Sequence, residues 1–188
     1  GTLASSRNLI SGTSVGVLSG GTPGSSGISI QGNIIGLKAS GLAAIPSPDV
    51  AANFDVGLYL PNGTNITIGG SPAGRNVVSG HATRGIQLAG SSNTLSGNFI
   101  GTDVTGTAPI PNGDGVLVVG TNQVIGGAGV GAGNVISGNM GVGLLLGSPD
   151  GLAFAHSAVV TGNLIGTSLF GARLGNGSYG IEISGVRI

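Results

Sequence analysis

One five-residue phrase recurs at a fixed distance: GNIIG from Gly32, GNFIG from Gly97 and GNLIG from Gly162, with Asn33, Asn98 and Asn163 each 65 residues apart. A second phrase interleaves with it, RNLISG from Arg7, RNVVSG from Arg75 and GNVISG from Gly133. Behind the six phrases run short apolar strands that begin at Gly16, Gly57, Gly85, Gly115, Gly143 and Gly180, each of the form Gly, aliphatic, any residue, aliphatic or nearly so. The chain therefore reads as six coils of one plan, alternating between two kinds, with three short strands per coil. Strands this short and regular leave no room for crossover helices, so the expected architecture is an all-β solenoid whose coils hydrogen-bond to the coils above and below. Asn and Gly tolerate the left-handed backbone that sharp bends between strands require, and stacked asparagines can form ladders inside those bends.

Composition agrees. Of 188 residues 41 are glycine, and Glu, Lys, Gln and Met, the good helix formers, are nearly absent. Six basic and six acidic residues cancel to zero net charge. With no clustered Lys and Arg to meet phosphates, nucleic acid is excluded as an expected partner. No apolar run is long enough to span a bilayer, and the absence of cysteine rules out a disulfide scaffold or a cysteine-based metal site. Residues 1–188 read as a single solenoid domain, either a slice of a longer repeat array or a unit that stacks end to end.

The phrases GNxIGTD and AGNVISGN, with their following strands, resemble the right-handed parallel β-helix repeat proteins, the superfamily that includes pectate lyases and the NosD-like periplasmic proteins. They look most like long repetitive proteins of bacterial cell surfaces. The resemblance covers nearly the whole chain and implies a right-handed parallel β-helix in an extracellular or cell-surface setting. It is weak for function, because the repeated phrases are scaffold shared by very different members.

Period-two alternation assigns faces. In the asparagine-led strands Ile10, Ile35, Val78, Ile100, Ile136 and Ile165 point inward, and Leu9, Ile34, Val77, Phe99, Val135 and Leu164 point outward. In the glycine-led strands Val17, Leu58, Ile86, Val116, Leu144 and Ile181 are the inward column. An outward stripe that is wholly apolar over roughly 29 Å of solenoid, at about 4.8 Å per coil, exceeds what a soluble monomer usually displays. Either loops of this chain cover it, or it is a binding surface for another chain, a lateral filament contact or a cell-wall polymer. On the second reading Phe99→Asp weakens assembly without unfolding the coil.

Insertions follow Leu37, Thr102 and Thr167, in alternate coils and on one edge, where repeat proteins commonly bind. Phe54, Phe170, Arg173 and Tyr179 lie there and suit stacking on a sugar ring. Asp103 and Asp114 stand at the two feet of one insertion, and a lyase or hydrolase would need them to converge. The remaining carboxylates do not stack from coil to coil. GTSVG from Gly12 matches a nucleophile elbow without its helix, and GAGVGA from Gly127 matches a dinucleotide fingerprint without its helix. His81 and His156 read as isolated. No catalytic residue, metal site or cofactor is expected. The leading reading is a structural or assembly module that self-associates through the apolar stripe and open solenoid ends; the alternative is a carbohydrate-binding adhesin or passenger segment using the insertion edge, and a polysaccharide lyase or hydrolase comes last. Joining the terminal VRI to the initial GTLASS would roughly complete one further coil.

Overall fold

A computed structural model describes residues 7–20, 24–47, 54–148, 150 and 152–185; the VRI to GTLASS junction lies outside them. The described residues form strands, turns and bends without a helix, and every strand pairing is parallel. The first sheet stacks β1 (Leu9–Ile10), β4 (Ile34–Ile35), β7 (Val77–Val78), β10 (Phe99–Ile100), β14 (Val135–Ile136) and β18 (Leu164–Ile165). The second contains β2 (Val15–Leu18), β5 (Val56–Thr64), β8 (Arg84–Ser91), β11 (Asp114–Val118), β12 (Gly120–Thr121), β15 (Leu144–Leu146), β16 (Ala155–His156) and β19 (Ile181–Ile183). The third stacks β3 (Ser29–Ile30), β6 (Thr67–Gly69), β9 (Thr94–Ser96), β13 (Val124–Gly126) and β17 (Val159–Thr161). Each of the first five coils visits the three sheets in turn and the sixth, among the described residues, enters the first two, which is a parallel β-helix of about six coils.

The register is the one that the repeats imply. Ile35 pairs with Val78, Val78 with Ile100, Ile100 with Ile136 and Ile136 with Ile165. These residues meet Leu58, Ile86, Val116 and Leu144 from the second sheet and Ile68, Leu95 and Ile125 from the third in one continuous core. Burial of each such side chain stabilises the coil by about 1.5–3 kcal/mol.

The bends carry polar groups into this interior, and side-chain amides satisfy them. At the first corner Asn8, Asn33, Asn76, Asn98, Asn134 and Asn163 form a ladder in which each Nδ2 donates to the Oδ1 of the next, at 2.8–3.0 Å. The backbone N–H of each asparagine from Asn33 to Asn134 donates to that same oxygen. A second corner repeats the scheme through Asn112, Asn139 and Asn176, and at a third the backbone N–H groups of Ile66 and Asn93 donate to the side-chain oxygens of Asn93 and Gln123. A primary amide carries a two-proton donor and a separate acceptor on one short neutral group, so identical side chains can stack without like charges meeting. Just before the third sheet Asn65, Ser92, Asn122 and Ser157 take the same left-handed conformation, φ 53–57°, at the modest cost that short polar residues pay there. Gly101 (φ 87°) turns where a Cβ would overlap the carbonyl of Ser137 and the side chain of Asn139.

The insertions are three copies of one arm, residues 36–45, 101–110 and 166–174. Ile45 N–H donates to Gly36 O, Ile110 to Gly101 O and Leu174 to Gly166 O, closing each arm on its coil. Because arms occur on every second coil, they stack on one another across the armless coil between them: Val104 N–H donates to Gly41 O at 3.1 Å and Leu169 N–H to Gly106 O at 2.9 Å.

Asn98→Ala removes the acceptor of two groups of Asn76 and the donor to the carbonyls of Ile68 and Ser96. Since each buried group left unpaired costs roughly 1–3 kcal/mol, the expected loss in urea unfolding is at least about 3 kcal/mol. Asn8→Ala, on an exposed terminal coil, is expected to cost less than about 1 kcal/mol.

Candidate functional site

The outward stripe is covered. Ile34, Val77, Phe99 and Val135 are buried against Leu37 and Ile110, with Ala44, Val104 and Leu169 packed at the margin. The arms supply these partners, so the middle of the stripe is a second core and the open binding surface expected there does not exist. Only Leu9 and Leu164, on the terminal coils, remain 47% and 36% exposed. The face assignment itself holds, since these residues form a cluster separate from the interior. What the alternation does not reveal is that Leu37, Val104, Ile110 and Leu169 fold back over it.

Phe99 is the hub of this layer. The Arg75 guanidinium lies 3.9 Å from its ring centroid while Nε donates to Gly97 O at 2.9 Å. Gly106 leaves room for the ring, because a Cβ there would sit 2.8 Å from it. Burial first, and then the charge of Arg7, pull the Arg75 pKa below its ordinary value, and the aromatic face offsets part of that cost.

Asp103 and Asp114 are engaged separately. Asp103 is buried at the base of its arm, where Oδ1 accepts from the amides of Thr105, Thr107 and Ala108 and both oxygens face the Thr105 hydroxyl. Burial opposes its ionisation, yet the bonds from Thr105, Thr107 and Ala108 outweigh burial and hold its carboxyl below the usual range. Asp114 Oδ1 accepts from Val142 N–H at 2.9 Å, and Oδ2 lies 3.7 Å from Arg84 Nε. Asp103 thus closes a turn within its own arm, and Asp114 bridges neighbouring coils.

The insertion edge gathers no aromatic platform. Phe54 packs edge-on against Tyr59, with centroids 4.9 Å apart. Phe170 (82%) and Tyr179 (62%) are exposed, as is Arg173, and none of the three enters an aromatic or cation–π pair among the described residues.

His81 is not isolated, contrary to expectation. Its Nδ1 lies 2.8 Å from Asp55 Oδ1, and both residues are buried. Asp55 Oδ2 accepts from Ala82 N–H, and Asp55 N–H donates to the Thr83 hydroxyl. His81 occupies the place of an asparagine in the second ladder, where its N–H donates to Asn112 Oδ1. The pair comes from neighbouring coils 26 residues apart, a spacing that carries no signal without the register. Its packing under Gly36 and Gly57 makes it a closed corner rather than an accessible dyad. His156 is exposed beside Phe154. Among the described residues no three His, Asp or Glu side chains come together to hold a metal ion.

Two hollows lie at the ends of the solenoid. One, about 440 Å³, is lined by Leu146, Phe154, His156 and Ile183; the other, about 410 Å³, by Ile10, Val17, Ile30 and Asn33. These are the inward columns of the terminal coils. The fold and these surfaces define a parallel β-solenoid. Comparison with family models, with curated proteins and with solved structures finds no match to the chain.

Phe99→Ala is expected to lower the unfolding free energy by about 3–5 kcal/mol while leaving the sedimentation coefficient of the native protein unchanged; this replaces the expectation that Phe99→Asp affects assembly alone. A depressed carboxyl such as Asp103 contributes stability above the unfolded value near about 3.9, and that contribution is lost as pH falls through the lower folded value. The amide chemical shifts of Thr107 and Ala108 should therefore move together below about pH 4, and the movement should vanish in Asp103→Asn.

Proposed function

We propose that this chain is a structural module of an extracellular, bacterial-type surface protein of the right-handed parallel β-helix superfamily, and that it associates through its terminal coils. One observation carries the reading: columns fully buried in the inner coils are open at the ends. Leu144 and Val116 are 0% exposed, whereas Ile181, next in the same column, is 46% exposed and Ile183 is 80% exposed. At the other end Leu9, which pairs with the buried Ile34, is 47% exposed, and Ile28 is 39% exposed. Open parallel edges of this kind pair readily with a further strand, and the surface met is the same whether the next coil belongs to the same polypeptide or to another copy. Zero net charge leaves little repulsion to oppose contact. With the apolar stripe covered, association is assigned to the ends alone.

A carbohydrate-binding adhesin segment is the second reading, favoured by the exposure of Phe170, Arg173 and Tyr179 on the arm edge. A lyase or hydrolase is disfavoured, because Asp103 and Asp114 are each taken up by turn and coil contacts. Sedimentation velocity across a concentration series, with electron microscopy of the same samples, tests the first reading: concentration-dependent growth into rods is expected, and a monodisperse monomer at high concentration overturns it. Glycan-array binding lost in both Phe170→Ala and Tyr179→Ala would move the assignment to the second.

A further inference from the structure

We infer that Asn62 is a site of spontaneous covalent modification: the backbone nitrogen of Gly63 displaces the Asn62 side-chain amide and leaves aspartate or isoaspartate in its place, while the two other Asn-Gly pairs of the chain are protected by the ladder. This chemistry does not depend on the assembly function proposed above.

Asparagine is a labile residue, and it is most so before glycine, where the absence of a Cβ lets the following nitrogen approach the asparagine side chain. The chain contains this dipeptide at Asn62-Gly63, Asn112-Gly113 and Asn176-Gly177. Ring closure forms a bond between Gly63 N and Asn62 Cγ and breaks the Cγ–Nδ2 bond, and the amide proton of Gly63 leaves with Nδ2 as ammonia. Water then opens the succinimide at either of its two carbonyl groups. One opening gives aspartate; the other gives isoaspartate, with an extra methylene in the main chain. Either product adds one negative charge to a chain whose net charge is zero.

Ring closure requires the asparagine side chain to turn toward its own main chain, and the fold leaves that movement open at one of the three sites. Asn62 is exposed, and its side chain makes no hydrogen bond among the described residues. It lies where β5 departs from regular pairing: Leu60 pairs with Leu88 and Gly63 with Gly90, so Pro61 and Asn62 together stand opposite Ala89. A bulge of this kind leaves its extra residue unpaired and loosens the ladder locally. Asn112, by contrast, is 0% exposed; its Nδ2 donates to Val78 O and Asn139 Oδ1, and its Oδ1 accepts from His81 N–H. Asn176 Nδ2 donates to Ile136 O, and its Oδ1 accepts from both N–H and Nδ2 of Asn139. Turning either of these side chains breaks three bonds at once. The amides that align the coils are thereby held away from their own main chain, and Asn62, outside the ladder, is not.

The test is to hold the full chain, folded, at mildly alkaline pH and to sample it over weeks by isoelectric focusing and peptide mass spectrometry with fragmentation that separates aspartate from isoaspartate. A growing acidic band is expected, with both products at residue 62. Asn112 and Asn176 should react at least about tenfold more slowly, since each must first lose its bonds to the ladder. In guanidinium chloride, where no ladder exists, the three sites should react at comparable rates. Asn62→Gln, a change on an exposed side chain, should fold as the parent does and lack the early acidic band. Retention of the Asn62 amide in the folded chain overturns the inference, and so does loss of the Asn112 or Asn176 amide in the folded chain as fast as that of Asn62.

Discussion

The structure depends on the asparagine ladder at its corners. A chain that turns sharply after every few residues points backbone amides into the interior at each bend, where no strand partner reaches them. The side chain of the next coil's asparagine accepts those N–H groups, and its Nδ2 passes the requirement onward, so each coil is completed by its neighbour. Short strands of two or three residues, which could not persist alone, become stable because the corners lock them in one register. Ile100 meets Val78 and Ile136 because Asn98 lies between Asn76 and Asn134.

The second layer follows from the alternation of two kinds of coil. Arms on every coil would have to stack at about 4.8 Å, the spacing of the strands themselves. With arms on alternate coils the available distance is doubled, and each arm has room to lay an apolar side chain over the stripe below it. Val104 and Leu169 reach the preceding arm while Leu37 and Ile110 seal Ile34, Val77, Phe99 and Val135. Asp103 belongs to the same device: its carboxylate gathers the amides of the arm that covers Phe99, which turns an apparent catalytic acid into a fastener.

Departures from the repeat mark where the ladder is met by other means. His81 replaces an asparagine and recruits Asp55 from the previous coil, so one corner is closed by a side-chain pair. Ile66 holds the ladder position of the third corner ahead of Asn93 and brings only its backbone N–H to the amide. At both positions the backbone N–H still donates to the amide oxygen of the following coil, and what is lost is the side-chain amide.

Taken alone, the sequence determined the solenoid, its six coils, the inward columns and the asparagine ladders, because each is a periodic property and period is visible in one dimension. It also determined which face Leu9, Ile34, Val77, Phe99, Val135 and Leu164 take, since alternation along a strand is local. Only the tertiary structure decided that the middle of that stripe is buried, that Asp103 and Asp114 serve different neighbours, that Arg75 lies on Phe99 and that His81 finds Asp55. Those outcomes depend on segments tens of residues apart lying at the same height, and height along the axis is set by the lengths of intervening loops, which carry no period of their own.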